Sequence, residues 1–274
     1  MTQLLIAADQ HHKGGMEKIL EQFGFDKRYH FLGDITPHYN TFEEAGKDRK
    51  AKRIIKEIQK KNPDLSYDEI LKLYIEQDII AALEAYGNAP HNTAARLRFL
   101  EENGIHISSI AGNVDLLIDG FLRLIHQHTG FGIPTSLDLI KESDYVNFLH
   151  SNRIVSHLID ESFIFEVPYS LRLNPDGNYA TSSEHVLILT HENPHPGGTG
   201  ENRKVKMQKS LDFVIDNARD ANKGKNILLA CGHLHVSGEP YEYRGITIVP
   251  LNADEVMEYN CQDGNFKVVK ADNH

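Results

Sequence analysis

Five short apolar segments of this chain each end in a cluster of Gly, Asp, Asn or His. The segments are 4–8, 29–32, 105–111, 186–190 and 227–231. Each has the length and apolar content of a buried β-strand. In α/β sheets the chemistry lies where strands end. We therefore expect an α/β fold in which the five polar clusters meet at one edge of the sheet structure.

Helices are expected between these strands, at 16–23, 41–61, 116–128, 136–150 and 203–221. Ser66 followed by Glu69 has the pattern of a capping box and predicts a helix that ends at Gly87. Asn92 or Thr93 is the expected cap of a further helix. Helices that alternate with buried strands are typical of the α/β class.

The segment 38–90 is long for a connection between two strands, so we interpret it as a helical insertion or cap over the polar clusters. After residue 240 the pattern changes: 241–250 and 256–269 indicate antiparallel β structure, with Asp263-Gly264 as a hairpin turn. The sequence shows no repeat and no low-complexity segment. We predict one domain over residues 1–274, with the insertion inside it.

Charge and hydropathy exclude several classes of partner. The net charge is −10 with His neutral, which disfavours extended nucleic acid and anionic membranes. It does not disfavour a small anion bound through metal ions, because the ions supply the local positive charge. No apolar stretch approaches the roughly 20 residues that span a bilayer. The first residues carry no basic n-region, so we expect a cytoplasmic protein.

The polar clusters contain metal-ligand types in a regular order. They are Asp9-x-His11, Gly33-Asp34, Gly112-Asn113, His191 and Gly232-His233-x-His235. Carboxylate, imidazole and amide oxygen together suit hard or borderline divalent ions, and two ions need six or more ligands and a bridge. Asp34 is the natural bridging carboxylate. We therefore predict that two divalent ions are bound by Asp9, His11, Asp34, Asn113, His191, His233 and His235.

In this order the motifs resemble those of the calcineurin-like metallophosphoesterase family, which are DxH, GD, GNxD or GNH, H and GHxH. The resemblance extends from Asp9 to His235. It implies a four-layer α/β/β/α sandwich of two mixed sheets, with the helical insertion near the active site. It also implies that one ion is bound by Asp9, His11, Asp34 and His235, and the other by Asp34, Asn113, His191 and His233. The implied nucleophile is a hydroxide that bridges the two ions.

Two departures from the family pattern narrow the predicted chemistry. Protein phosphatases of the family carry an Arg after the GD motif, where this chain has Ile35. Many members carry a His after GN, but here Val114 and Asp115 follow, which resembles the GNxD branch of small prokaryotic phosphodiesterases. We expect Asp115 to orient a ligand histidine. The proton for the leaving oxygen must then come from elsewhere, with candidates His12, His38 and His195.

The predicted function is a phosphodiesterase that acts on a small or nucleotide-like phosphorylated substrate. Mn is the favoured metal, and Fe, Zn and Ni also suit the ligand set. A phosphomonoesterase or nucleotidase of the same fold is the first alternative. A non-catalytic binding scaffold is the second. We expect no membrane partner and no extended nucleic acid, and the sequence leaves a homo-oligomer open.

Overall fold

The computed structural model describes residues 2–10, 14–37, 42–130, 132, 134–149, 153–169, 178–194, 202–233 and 239–271. Within these ranges the chain forms twelve strands and eight helices. None of the helices in this described part is long and apolar enough to cross a membrane.

The first sheet carries the first three predicted strands. It is built from β1 (Gln3–Ala7), β2 (Arg28–Phe31), β3 (Ile107–Ile110), β4 (Val146–Leu149), β11 (Glu255–Asn260) and β12 (Phe266–Lys270). Their spatial order is β12-β11-β1-β2-β3-β4. Strands β1 to β4 run parallel to one another, whereas β11 is antiparallel to both β1 and β12. The carboxyl ends of β1, β2 and β3 therefore lie at one edge.

The second sheet carries the other two predicted strands. It is built from β5 (Val155–Ile159), β6 (Ser162–Val167), β7 (His185–Thr190), β8 (Asn226–Cys231), β9 (Tyr241–Tyr243) and β10 (Ile246–Pro250). Their spatial order is β5-β6-β7-β8-β10-β9. The four central strands are parallel, and β5 and β9 are antiparallel edge strands. Both sheets are thus mixed.

Helices cover the outer face of each sheet. Apolar residues of α1 (Gly15–Phe23), α5 (Ala89–Glu102) and α7 (Ser136–Glu142) pack on the first sheet, and those of α8 (Asn202–Ala221) pack on the second. The inner faces meet in a core that includes Ile6, Leu189 and Leu228. The order of layers is helix, sheet, sheet, helix, which confirms the predicted fold class.

Three of the helices between β2 and β3, together with the helix that follows β3, form an apolar core of their own. This core contains residues of α2 (Phe42–Lys61), α3 (Tyr67–Gln77), α4 (Ile79–Tyr86) and α6 (Asn113–Thr129). Phe121 of α6 lies at its centre, with its ring 5.9 Å from that of Tyr74 and 5.0 Å from that of Tyr86. Because α6 begins at Asn113, a predicted metal ligand, the helical insertion lies near the predicted site.

Three predicted helices differ in their limits. The capping box at Ser66 and Glu69 is present, but the helix it opens ends at Gln77. Asp78 interrupts it with an extended φ of −157° and caps the next helix by accepting from the backbone N–H of Ala81. Asn92 and Thr93 do not cap a helix, because α5 already begins at Ala89 and buries both residues within it.

The predicted helix at 136–150 is shorter, because α7 ends at Glu142 and β4 follows. Strand β4 pairs in parallel with β3, and its Val146 lies opposite Ile107. Val146 and Ile107 are both buried on the outer face of the first sheet. This tertiary pairing overrides the local helical pattern.

Candidate metal centre

Five of the seven predicted ligands lie in the described part of the chain, at the ends of five strands. Asp9, Asp34 and Asn113 follow the parallel strands β1, β2 and β3. His191 and His233 follow the parallel strands β7 and β8. Because the two sheets face each other, both sets of strand ends open on the same space. The site is therefore built from both sheets.

Four ligand atoms converge at the centre of this space. The Oδ1 atom of Asn113 lies 2.7 Å from Nε2 of His191 and 2.7 Å from Nδ1 of His233. The two ring nitrogens are 3.2 Å apart, and His191 Nε2 is 3.5 Å from Oδ2 of Asp34. These four residues are the set that the family resemblance assigns to one ion.

The hydrogen bonds of His191 leave its other ring nitrogen ready to bind a metal. Nδ1 lies 2.6 Å from the carbonyl oxygen of Leu32, and a carbonyl can only accept, so Nδ1 carries the proton. In the neutral ring Nε2 then has an available lone pair, which points at the Asn113 oxygen. His191 Nε2 and Asn113 Oδ1 are then two acceptors only 2.7 Å apart, an arrangement that a cation bound between them would stabilise. A carbonyl that fixes the tautomer of a ligand histidine is a recurrent feature of metal sites.

Asp9 completes a cluster of three buried residues. Asp9, Asp34 and His191 each offer a ligand atom within 4.8 Å of the others, which makes them a candidate metal-binding group. The Oδ2 atom of Asp9 accepts from the backbone N–H of His233 at 2.9 Å. Within the described residues its Oδ1 atom is buried and has no hydrogen-bond partner. A buried carboxylate oxygen in this state fits a site for a cation.

The electrostatics of the two carboxyl groups agree with a cation site. Burial raises the pKa of Asp9 to about 7, and the negative charge of Asp34 adds to the rise. Burial and the negative charge of Asp115 likewise hold the pKa of Asp34 well above its usual value. A divalent ion reverses this balance because it stabilises the ionised carboxylates. The residues present therefore fit the metal that the sequence predicts.

Three of the predicted ligands have an unusual backbone conformation. Asp9, Asp34 and His233 adopt left-handed φ values of 56°, 53° and 70°. Residues other than glycine rarely occupy this region, and such strain concentrates at functional sites. The fold holds Asp34 in place through the backbone N–H of Val114, which donates to its Oδ1 atom at 2.7 Å. Its Oδ2 atom is thereby left to face His191.

Two glycines allow the ends of β2 and β3 to approach each other. A Cβ atom on Gly33 would lie only 2.6 Å from the Cα atom of Gly112. A Cβ atom on Gly112 would overlap the backbone nitrogen and the carboxylate of Asp34. The approach that brings Asp34 beside Asn113 therefore requires both glycines.

Asp115, which we expected to orient a ligand histidine, accepts hydrogen bonds from two backbone N–H groups. Its Oδ1 atom accepts from the backbone N–H of Thr36 at 2.8 Å, and its Oδ2 atom accepts from that of Gly112 at 2.9 Å. Asp115 thus joins the loop after β2 to the start of α6. It supports the described ligands through the backbone and makes no hydrogen bond to His191 or His233, whereas His11 and His235 lie outside the described residues.

Val114 occupies the position at which many metallophosphoesterases carry a histidine, and its side chain is buried in the core of the helical insertion. Ile35, which stands where protein phosphatases of the family carry an arginine, is also buried, with 2% of its surface exposed. Neither position presents a proton donor or a cation to a substrate.

Three residues near the site were not predicted from the sequence. Lys52 of α2 lies near enough for its positive charge to lower the pKa of Asp34. Glu192 lies 4.0 Å from Nε2 of His233, on the side of the ring away from Asn113. The ring of Tyr169 lies 5.5 Å from that of His191 and 6.0 Å from that of His233. Of these three residues, only Glu192 could have been predicted from the sequence, because it directly follows the predicted ligand His191.

The remaining predicted residues lie outside the described residues. Among the predicted ligands these are His11 and His235. Among the predicted proton donors or substrate contacts they are His12, His38 and His195. Their roles stay predictions.

No protein-family model matches this chain, and no curated protein matches it in sequence. The fold is similar to that of TT1561 from Thermus thermophilus, with 11% identity, a TM-score of 0.44 and 99% of each chain covered. It is also similar to that of an archaeal phosphodiesterase, with 11% identity, a TM-score of 0.39, and coverage of 98% of this chain and 99% of that chain. Similarity at this level carries no argument about function, which rests on the geometry of the site itself.

Proposed function

We propose that this protein is a metal-dependent phosphoesterase that hydrolyses a phosphodiester of a small or nucleotide-like molecule. The observation that carries the proposal is the convergence of Asn113 Oδ1, His191 Nε2 and His233 Nδ1 beside two buried carboxylates. Such a set of acceptors suits two divalent ions, with Mn favoured. Bound there, the ions would polarise a phosphoryl group and make water nucleophilic near pH 7.

The residues of the chain supply binding and orientation. Asp34 would hold the metal through its Oδ2 atom, which faces His191, because its Oδ1 atom accepts a hydrogen bond from the backbone N–H of Val114. The neutral amide of Asn113 would contribute an oxygen ligand without adding negative charge. Glu192 faces Nε2 of His233 and favours the ring orientation in which Nδ1 points at Asn113.

Two features favour a diester over a monoester. Ile35 and Val114 are both buried, so the arginine and the histidine of other family branches have no counterpart at these positions. A phosphomonoester carries one more negative charge than a diester at neutral pH, and binding it benefits from such a cation. The absence of a cation at these two positions, with Lys52 as the basic residue near Asp34, favours the singly charged ester.

Hydrolysis of bis(p-nitrophenyl) phosphate and of p-nitrophenyl phosphate, with and without added Mn²⁺, tests the proposal. We expect metal-dependent cleavage of the diester, at least tenfold faster than cleavage of the monoester. Asp34→Asn should abolish it, because the bridging charge is lost. The matched control is Asp26→Asn, a change at an exposed carboxylate with a side chain 82% accessible.

Each other outcome points to a different function. Faster cleavage of the monoester would support a phosphomonoesterase or nucleotidase. Metal binding without cleavage of either substrate would support a binding scaffold. If the purified protein binds no divalent ion at micromolar concentration, the proposal of a metal-dependent enzyme is wrong.

A further inference from the structure

Arg96 of α5 is a buried cation that touches both loops bearing the predicted carboxylate ligands. Its side chain is 4% exposed. Its Nη1 atom donates to the carbonyl oxygen of Gln10 at 2.7 Å and to that of Ile35 at 2.5 Å. Its Nε and Nη2 atoms donate to the two carboxylate oxygens of Glu17 at 2.9 and 3.1 Å. One guanidinium thus binds three separate segments of the chain.

The two carbonyl groups belong to residues that directly follow predicted ligands. Gln10 follows Asp9, and Ile35 follows Asp34. Both aspartates have the left-handed backbone conformation described above, so the peptide that follows each one needs a fixed orientation. Arg96 supplies a hydrogen bond to each of these peptides and joins the loop after β1 to the loop after β2.

Glu17 holds the guanidinium in this position. Burial raises the pKa of the Glu17 carboxyl, but the charge and hydrogen bonds of Arg96 outweigh it, so the pKa lies below its usual value. The carboxylate is therefore ionised and binds one edge of the guanidinium through two parallel hydrogen bonds. The other edge is left to reach the two carbonyls. Lysine has no planar fork and cannot reproduce this geometry.

If Arg96 served only to join α5 to α1, its salt bridge with Glu17 would be sufficient. The additional bonds to Gln10 and Ile35 lie next to the two carboxylates whose separation decides whether a pair of ions fits. We infer that Arg96 is a positioning residue, which sets the distance between Asp9 and Asp34 and couples α1 and α5 to the candidate metal centre. This inference rests on the proposed metal centre.

Titration of the metal-free protein with Mn²⁺, followed by calorimetry and electron paramagnetic resonance, tests the inference. Arg96→Met should weaken binding of Mn²⁺ about 10- to 100-fold, the range seen when groups that support metal ligands are removed. It should also reduce the spin coupling between two bound ions. Arg96→Lys keeps the charge and should still weaken binding about tenfold. Arg98→Met, a change at an exposed arginine of the same helix, should leave the affinity unchanged.

Melting curves separate positioning from a purely structural role. All titrations are made at least 15 °C below the melting temperature of each variant. Arg96→Met that is less stable yet binds Mn²⁺ with unchanged affinity and coupling would overturn the inference. If Arg96→Met does not fold, unchanged affinity in Arg96→Lys would overturn it. If the wild-type protein itself binds no Mn²⁺, the proposed metal-dependent function is wrong, and the inference about Arg96 is wrong with it.

Discussion

Glu166 of β6 is a buried carboxyl group that faces a histidine of the first sheet. Its Oε1 atom lies 3.6 Å from Nδ1 of His30 and 3.8 Å from Nδ1 of His157. Burial raises the pKa of Glu166 to about 7 and lowers the pKa of His30 to about 3. At pH 6 the carboxyl group therefore keeps its proton beside a neutral imidazole, and the short distance between them is not an ion pair.

Glu166 should make the protein less stable as the pH rises. The folded state holds the Glu166 proton up to about pH 7, whereas the unfolded chain releases it near pH 4.5. Its stabilisation is therefore complete below pH 4.5 and is lost as the pH rises through 7. At 1.36 kcal/mol per pH unit, the wild-type protein should lose about 1 kcal/mol more than Glu166→Gln between pH 6 and pH 8.

Urea unfolding at the two pH values measures this difference. His30 acts in the opposite sense, because its lowered pKa destabilises the fold as the pH falls from 6.5 towards 3. The comparison of wild type with Glu166→Gln removes that shared contribution. Glu142→Gln, a change at an exposed carboxyl group of α7, is the matched control. Equal losses in wild type and Glu166→Gln would show that Glu166 does not hold its proton.

Gly112→Ala should damage the site directly. The added methyl group would overlap the backbone and carboxylate of Asp34, and overpacking of this kind costs about 1–3 kcal/mol. We expect a lower free energy of unfolding and loss of metal binding. Gly120→Ala is the control, because its Cβ atom would meet no other atom within 4 Å and lies inside α6. That substitution should stabilise the protein by about 0.5–1 kcal/mol.

Single residues differ in how far the sequence reveals them. Asp9, Asp34, Asn113, His191 and His233 stand at strand ends in a recognisable order, so their convergence could be predicted. Arg96 could not, because it is one arginine in a helix and its partners lie 79, 86 and 61 residues away. A contact made through backbone carbonyls leaves no pattern in the sequence.

At the scale of elements, the helix α2 places Lys52 near the candidate metal centre. The positive charge of Lys52 lowers the pKa of Asp34. Many other residues of α2 are also charged. Lys52→Met should raise the KM for a phosphodiester about fivefold, equivalent to about 1 kcal/mol of lost charge interaction. Its effect should shrink at high ionic strength, because salt screens a partly exposed charge.

Lys56→Met provides the comparison, since Lys56 is an exposed residue of the same helix. Steady-state kinetics at low and high salt measure both variants. Equal KM values for the two variants would show that α2 contributes no charge to substrate binding.

The elements that the sequence predicted well are those whose pattern is local. The strands β1, β2, β3, β7 and β8 overlap the five short segments that end in polar clusters, and all five are present. Strand β4 was mistaken for helix because its four residues gain their partner from β3, far away in the sequence. The division of α3 from α4 depends on the conformation of Asp78, which hydropathy does not report.

At the scale of the whole molecule, the candidate metal centre draws its residues from both sheets. Asp9, Asp34 and Asn113 extend from the first sheet, and His191 and His233 from the second. Divalent ions bound between them should therefore stabilise the entire sandwich. At a free metal concentration of 100 times Kd the gain is about 2.7 kcal/mol. For a chain of this size that corresponds to a rise in melting temperature of about 5–10 °C.

Scanning calorimetry with Mn²⁺ or with a chelator measures this rise. Asp34→Asn should remove most of it, whereas Asp26→Asn should keep it. A melting temperature that does not change with metal concentration would show that the folded protein binds the ions no more tightly than the unfolded chain does, which would contradict the proposed metal centre.

The position of β1 has a consequence for the order in which the protein is made. Strand β1 lies inside its sheet between β2 and β11, and β11 comes about 250 residues later in the chain. During synthesis at about 5–20 residues per second, β1 waits on the order of ten seconds or more for this neighbour. Helices such as those of the insertion can form within that interval, because their contacts are local. The strand β11 is therefore synthesised after all the described candidate ligands. The first sheet, which positions Asp9, can be completed only after β11 and β12 have been made.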